Sequence, residues 1–282
     1  MAGTLLRQEI LRCAQNDIGL GGGLFNLSNP QLPESPALGP RPTLAAVIPA
    51  LNEEAAIGDL VAELLAVAAR PDLAVAFDAI YVVDNGSDDA TAARAEEAGA
   101  VVVAEPRRGY GRACLSGVLA AEGVDLIVLL DGDRSDTPDE LPLLLAPLLA
   151  GEADLVVGSR VLGHHEPGSL TGPQRFGNWF AARVLGLLFG VRVTDIGPFR
   201  VIRRDVLLNL GMREMTYGWS VEMIARAAKA GLRVCEVPVT YRRRAGGVSK
   251  VSGDLRASVR AGFRIIATIV RVRRNGRATG ED

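Results

Sequence analysis

Leu126-Ile127-Val128-Leu129-Leu130-Asp131-Gly132-Asp133 is the stretch on which the fold turns. Five apolar residues without alternation fit a strand buried on both faces, and the acids that stop it mark a strand end at the surface. A helix is expected from Pro138, where proline suits the first turn. The same grammar repeats upstream. Leu44–Ile48 runs into Asn52-Glu53-Glu54 and an apolar-periodic helix to about Ala69. Ile80–Val83 runs into Asp84-Asn85-Gly86-Ser87 and a helix over Asp88–Ala98, and Val101–Ala104 precedes a helix following Gly111. Leu155–Val157 reads as a fifth strand. Strand–helix alternation at this spacing predicts an α/β protein, a mostly parallel sheet flanked by helices. In such sheets ligands bind beyond the carboxyl ends of the strands, which here carry Asp84 and Asp131.

The second half is less regular. Helices are expected over Pro173–Gly190 and Ser220–Ala230, a Gly-Pro-bearing loop over Asp195–Arg200, and a strand over Leu232–Pro238. The whole reads as a single domain over residues 43–253, without internal repeats. Residues 1–42 read as a poorly ordered N-terminal extension, with Gly21-Gly22-Gly23 and five prolines after Gly19. Residues 254–282 read as a basic amphipathic C-terminal helix and tail. Of the 282 residues 48% are hydrophobic and 23% charged, which excludes a largely disordered chain, a collagen-like repeat and a coiled coil. The formal net charge is −2, which argues against nucleic-acid binding. That sum hides an asymmetry. Ten Arg and one Lys from Arg242 onward face three acids, a surplus of +8, so the preceding residues carry −10. No apolar run reaches the roughly 18 residues of a spanning helix, and the start lacks the order of a signal peptide. Cys13, Cys114 and Cys235 form neither a disulfide framework nor a metal-binding pattern.

Four strand ends carry polar or ionic equipment. Asp131 and Asp133, two residues apart, would repel each other if bare. A divalent cation resolves that repulsion, Mg²⁺ and Mn²⁺ being partial to carboxylate and phosphate oxygens; the alternative is a solvated Asp-Gly turn. Asp84-Asn85-Gly86-Ser87 reads as a base or ribose contact, or as an ordinary turn and cap. Asn52-Glu53-Glu54 caps a helix or touches a ribose. Arg107-Arg108-Gly109-Tyr110-Gly111-Arg112 is not a dinucleotide fingerprint, because Cys114 stands where a third glycine is needed, but a glycine-rich basic loop suits a diphosphate. His164 and His165, the only histidines, read as loop surface.

The set Val47-Ile48-Pro49-Ala50-Leu51-Asn52-Glu53-Glu54, Val83-Asp84-Asn85-Gly86-Ser87, Gly109-Tyr110-Gly111 and Asp131-Gly132-Asp133 resembles the inverting family 2 glycosyltransferases. Thr194-Asp195-Ile196-Gly197-Pro198-Phe199-Arg200, Gly218-Trp219-Ser220-Val221-Glu222 and Tyr241-Arg242-Arg243-Arg244-Ala245-Gly246-Gly247-Val248-Ser249-Lys250 are similar to the dolichyl- and polyprenyl-phosphate sugar transferase branch. The resemblance covers about residues 43–270. It implies a GT-A fold and a nucleotide-sugar donor held by Pro49, Glu53, Asp84, Arg108, Gly111 and Asp131. It implies Mg²⁺ or Mn²⁺ on Asp131 and Asp133, screening the diphosphate leaving group. Leu51 stands where many relatives have an aromatic residue. Arg134-Ser135-Asp136 stands where relatives often have a further metal-binding Gln, so Ser135 or Asp136 takes that place.

The implied acceptor is a polyprenyl phosphate. Already ionised at pH 7, it needs cations to hold it rather than a strong base. Arg160, Arg175, Arg242, Arg244, Ser249 and Lys250 match the branch's phosphate contacts. Asp195 and Glu222 are the candidate catalytic carboxylates, each with capping or ion pairing as its alternative. Arg256, Arg260 and Arg264 lie four apart on the last helix, beside an apolar stripe of Val259, Phe263, Ile266 and Val270. Together with the apolar Phe176–Leu188 segment this predicts peripheral attachment to the inner, cytoplasmic face of a membrane, or else packing on the core. Rival readings are transfer to a hydroxyl of a lipid or glycan, which would need Asp195 or Glu222 as base, and a membrane-docked nucleotide-sugar-binding protein with degenerate activity.

Overall fold

The computed structural model describes residues 38–246 and 255–274. The predicted N-terminal extension up to residue 37, together with Ser249 and Lys250 of the basic loop, lies outside the described residues.

Seven strands form one sheet: β1 (Thr43–Ala50), β2 (Ala76–Asp84), β3 (Val101–Ala104), β4 (Leu126–Leu129), β5 (Leu155–Ser159), β6 (Arg200–Arg203) and β7 (Val234–Pro238). The helices are α1 (Ile57–Ala68), α2 (Thr91–Glu97), α3 (Tyr110–Ala120), α4 (Leu141–Leu149), α5 (Gly172–Phe189), α6 (Arg204–Asn209), α7 (Trp219–Lys229) and α8 (Leu255–Arg274). The strand order is β3-β2-β1-β4-β6-β5-β7. Every pairing is parallel except those of β6, which runs antiparallel to both β4 and β5.

Strand β1 shows why the apolar runs do not alternate. Ala45 and Val47 face one core, against α3, α5, α7 and α8, while Leu44, Ala46 and Ile48 face the other, against α1 and α4. With helices on both faces, each side chain of the strand is covered. The mostly parallel sheet is as expected. Strand β6 and helix α6 were not anticipated, because Arg-Val-Ile-Arg is short and ends in charges. Val201 and Ile202 nevertheless pair with Val128 and Ile127. Arg200 is 1% exposed, with its guanidinium donating to the carbonyls of Gly197 and Ser220.

Helix α2 begins three residues later than the sequence implies and α1 begins only at Ile57, because the residues before them are knitted together. Asn52 holds a left-handed backbone (φ 54°). Its N–H donates to Ser87 Oγ and its side-chain oxygen accepts from Asp88 N–H. Glu54 accepts from Ala90 N–H, and Glu53 N–H donates to Thr91 Oγ1. The ends of β1 and β2 therefore form one rigid rim. On the sheet face covered by α3, α8 packs across α5 and α7, burying Thr268, Ile269 and Val272. Phe263 and Val270 of the predicted stripe point outward instead, at 75% and 40% exposure. The side chains of Arg256, Val259 and Arg260 lie outside the described residues. Among the described residues no helix is long and apolar enough to cross a membrane.

Candidate active site

The carboxyl ends of β1, β2 and β4 open into a cavity of about 520 Å³. Pro49, Ala50, Leu51 and Glu53 form its wall after β1, and Asn85, rather than Asp84, lines it after β2. Asp84 instead accepts from Ser87 N–H and stiffens its own loop. Asn85 ties two loops together, donating to the carbonyls of Glu105 and Arg107 and accepting from Gly109 N–H. Arg108 lines the cavity and reaches Asp88 at 3.5 Å. Gly111 serves packing: a Cβ there would collide with the carbonyl oxygen of Glu214 and sit 3.0 Å from Trp219 Cβ.

Asp131 and Asp133 lie where β4 ends. Tyr110 donates its hydroxyl to Asp131 Oδ1 at 2.9 Å. Burial, and next the charge of Asp133, push the Asp131 carboxyl up to about 6. Asp133 accepts from Ser135 N–H and pairs with Arg244 at 3.1 Å. The same guanidinium reaches Glu53 at 2.6 Å. Asp136 curls back beneath them, accepting from Asp131 N–H at 3.2 Å, while its Oδ1 is buried without a hydrogen-bond partner. Burial raises its carboxyl well above the ordinary range. This return is made by Arg134, whose φ of 61° turns the chain and sends its side chain away to Asp59 and Glu63.

Hard oxygens and an excess of negative charge, already drawing in one guanidinium, fit Mg²⁺ or Mn²⁺. Among the described residues no three His, Cys, Asp or Glu side chains converge as a closed cage. A two-carboxylate site that leaves coordination positions to water and phosphate oxygens agrees with that chemistry.

Asp195 and Glu222, expected as catalytic carboxylates, are both buried with their oxygens engaged. Asp195 accepts from Arg160 N–H, Nε and Nη2, from Asn178 Nδ2 and from Ile196 N–H. Burial alone would raise its carboxyl, but the charge and hydrogen bonds of Arg160 outweigh burial and hold it low. It therefore positions Arg160, whose guanidinium also lies 4.9 Å from the centre of the Tyr241 ring. Glu222 faces away from the cavity, accepting from Arg213 and Glu214 N–H and from Arg226 Nε.

Arg160 and Asn178 line both this cavity and a second one of about 540 Å³. Arg175, Arg183, Phe176 and Trp179 of α5 line the second, and so does His165, which the sequence reading left on the loop surface. Arg242 does not join them; it turns to Glu63 at 3.2 Å. Several contributors escaped the sequence reading. Glu236 holds the loop bearing Asp195, accepting from Thr194 and Asp195 N–H, and burial pushes its carboxyl up to about 7. Its signal was a lone acid inside the apolar run Val234-Cys235-Glu236-Val237. Arg264 and Ile265 bring α8 into the wall of the first cavity, for which spacing offered no sign.

An acid-rimmed cavity at the carboxyl edge of a mixed sheet, with β6 reversed beside the acidic strand end, gives the chain the expected GT-A fold. Residues 45–211 match the model of the family described as "Glycosyl transferase family 2", and the chain belongs to that family. It is a glycosyltransferase. An uncharacterised glycosyltransferase of Mycobacterium tuberculosis is 43% identical over 218 residues, 76% of this chain and 91% of that one. A dolichyl-phosphate hexose transferase of Haloferax volcanii is 35% identical over 206 residues, 72% of this chain and 84% of that one. Among solved structures, glucosyl-3-phosphoglycerate synthase of M. tuberculosis, in complex with Mn²⁺, UDP-glucose and phosphoglyceric acid, aligns with a TM-score of 0.65. At 23% identity, over 84% of this chain and 81% of that one, it is a likeness of fold.

Proposed function

We propose that this enzyme transfers a hexosyl group, with inversion, from a UDP- or GDP-linked sugar to a polyprenyl phosphate at the inner face of a membrane. The observation that carries the reading is Arg160. It stands between the acidic rim and the Arg175–Arg183 cavity, lines both, and is held rigid by Asp195 and Tyr241. A fixed guanidinium at that junction suits a phosphate oxygen aimed across at an anomeric carbon.

The donor would lie along Pro49, Glu53, Arg108 and the Asp131 rim, with Asp84 and Gly111 setting the loops around it. Asp131 and Asp133 would hold Mg²⁺ or Mn²⁺, which supplies charge stabilisation to the departing diphosphate. Arg160 and Arg175 would take the acceptor phosphate, with Arg242, Arg244 and Lys250 on the loop after β7 as further cations and the Ser249 hydroxyl as a neutral donor. No free carboxylate base is required, because the nucleophile is already an anion. The relative acting on dolichyl phosphate supports this acceptor. The exposed Phe176, Trp179 and Phe180 beside the second cavity support an approach to lipid.

The test is a transfer assay with radiolabelled UDP- and GDP-hexoses, Mn²⁺, and either undecaprenyl phosphate or a neutral lipid. Label should enter only the phosphate acceptor. Asp133→Asn should lower transfer by about 100-fold or more, the scale of losing a key transition-state charge partner. Transfer solely to the neutral lipid would overturn the acceptor; undiminished metal-dependent transfer by Asp133→Asn would overturn the metal site.

A further inference from the structure

Glu214 lies in the segment between α6 and α7, outside every motif noted above. It is 4% exposed, and on its own segment its Oε1 accepts from Thr216 N–H at 3.2 Å and from the Thr216 hydroxyl. Its cations come from α8. Arg264 approaches Oε1 at 3.7 Å and Arg271 approaches Oε2 at 3.5 Å, while Thr268 donates its hydroxyl at 3.3 Å. Positions 264, 268 and 271 lie on one face of a helix. The neighbouring face packs by Ile265, Ile269 and Val272, and Lys229 of α7 donates to the Val272 carbonyl near the helix end.

The other side of this segment touches the rim. The Glu214 carbonyl lies against Gly111, and the Met215 carbonyl accepts from Arg112 N–H at 3.1 Å. Those contacts fix the first turn of α3, which carries Tyr110 and thus the hydrogen bond to Asp131. From beneath, Glu222 anchors Glu214 through its N–H. Two consequences share one acid: α8 is held where Arg264 and Ile265 line the cavity, and the loop holding α8 is the loop bracing α3.

We propose that Glu214 is a positioning residue of the transferase, a latch that docks α8 so that it completes the cavity wall and ties that docking to the Tyr110 turn beside Asp131. The inference rests on the transferase class alone and holds whichever acceptor is used.

Hydrogen exchange on the full chain tests it, since a loosened segment exchanges faster before the fold is lost. Glu214→Gln keeps the shape and removes the charge. Arg271→Gln removes one partner from a half-exposed position outside the cavity, so it decides the matter if the first variant fails to fold. Both should speed exchange at least about tenfold over residues 262–274 and also over 110–115, with Arg271→Lys restoring the slow rates. Unchanged rates in both segments would overturn the latch. Faster exchange in 262–274 with 110–115 unchanged would overturn the tie to the rim. Calorimetry with Mn²⁺ and UDP, and with Mn²⁺ and GDP, reads the cavity wall. Whichever nucleotide the wild type binds should bind Arg271→Gln about three- to tenfold more weakly, and equal affinity would overturn completion of the wall. If the wild type binds neither, the donor reading above fails, while the exchange measurements still decide the latch.

Discussion

Glu236 interrupts an apolar strand, and its carboxylate does the work of a backbone partner for Thr194 and Asp195. Burial is the main cause of its rise to about 7, the hydrogen bonds it accepts pulling the other way. The sign for stability follows from proton linkage. Between the ordinary value of 4.5 and about 7 the folded protein keeps a proton that the unfolded chain has released, so this group's contribution falls as pH rises through that window. Glu236→Gln should remove the fall. Urea denaturation at pH 5.0 and 7.5 should show the variant losing less stability between the two pH values than the wild type; parallel losses would refute the assignment. Asp195 and Arg160, one hydrogen bond further on, show the opposite balance, in which a close opposite charge outweighs burial. The sequence offers Arg160 as a phosphate contact and ion pairing as the alternative to catalysis for Asp195, but it does not make the two each other's partner. Asp195 looked like a base because its motif resembles a catalytic one, but five donors converge on it only in three dimensions.

At the scale of the element, α5 is placed by its ends. Thr171 and Gln174 form a reciprocal capping box with Pro173 at the first turn, and Gly190 closes the helix in the left-handed conformation at φ 73°. Its inner side buries Ala181 and Leu185, while Phe176, Trp179, Phe180 and Leu187 face solvent. The cap therefore aims Arg175 and Asn178 at the second cavity. Thr171→Ala should cost about 1 kcal/mol in urea unfolding and loosen the first turn; a loss below a few tenths would mean that packing alone sets the helix. The expected span, Pro173–Gly190, lies within a residue of the observed one at each end. Which face it buries was not readable, because apolar residues occur on both.

For the whole molecule, the charge asymmetry acquires a place. The acidic rim faces the cavity, and among the described side chains of α8 Arg264 and Arg271 reach the buried Glu214, Arg264 also lining the cavity. Outward Phe263 and Val270 on α8, with outward Phe176, Trp179 and Leu187 on α5, provide apolar surface on two helices that pack against each other. If this surface meets lipid, the full chain should float with vesicles containing phosphatidylglycerol, bind less as salt rises, and bind several-fold less as Trp179→Ser with Phe263→Ser. Equal flotation of the variant would place the lipid contact elsewhere. Both positions are already solvent-exposed, so the substitutions leave the core intact.

The alternation of strands and helices, the edge at which the cavity opens, and the acids Asp131 and Asp133 on that edge all follow from the order of the residues. These depend on local periodicity and on where apolar runs stop, which neighbouring residues encode. Packing in three dimensions makes β6 run backward between β4 and β5 and closes Asp195 onto Arg160. It alone decided that Arg134 leaves the site while Asp136 enters it, and that α8 supplies part of the cavity. Each of these depends on partners tens of residues away. An isolated charge looks the same in sequence whether it meets water, a carboxylate or a substrate, and packing alone selects among them.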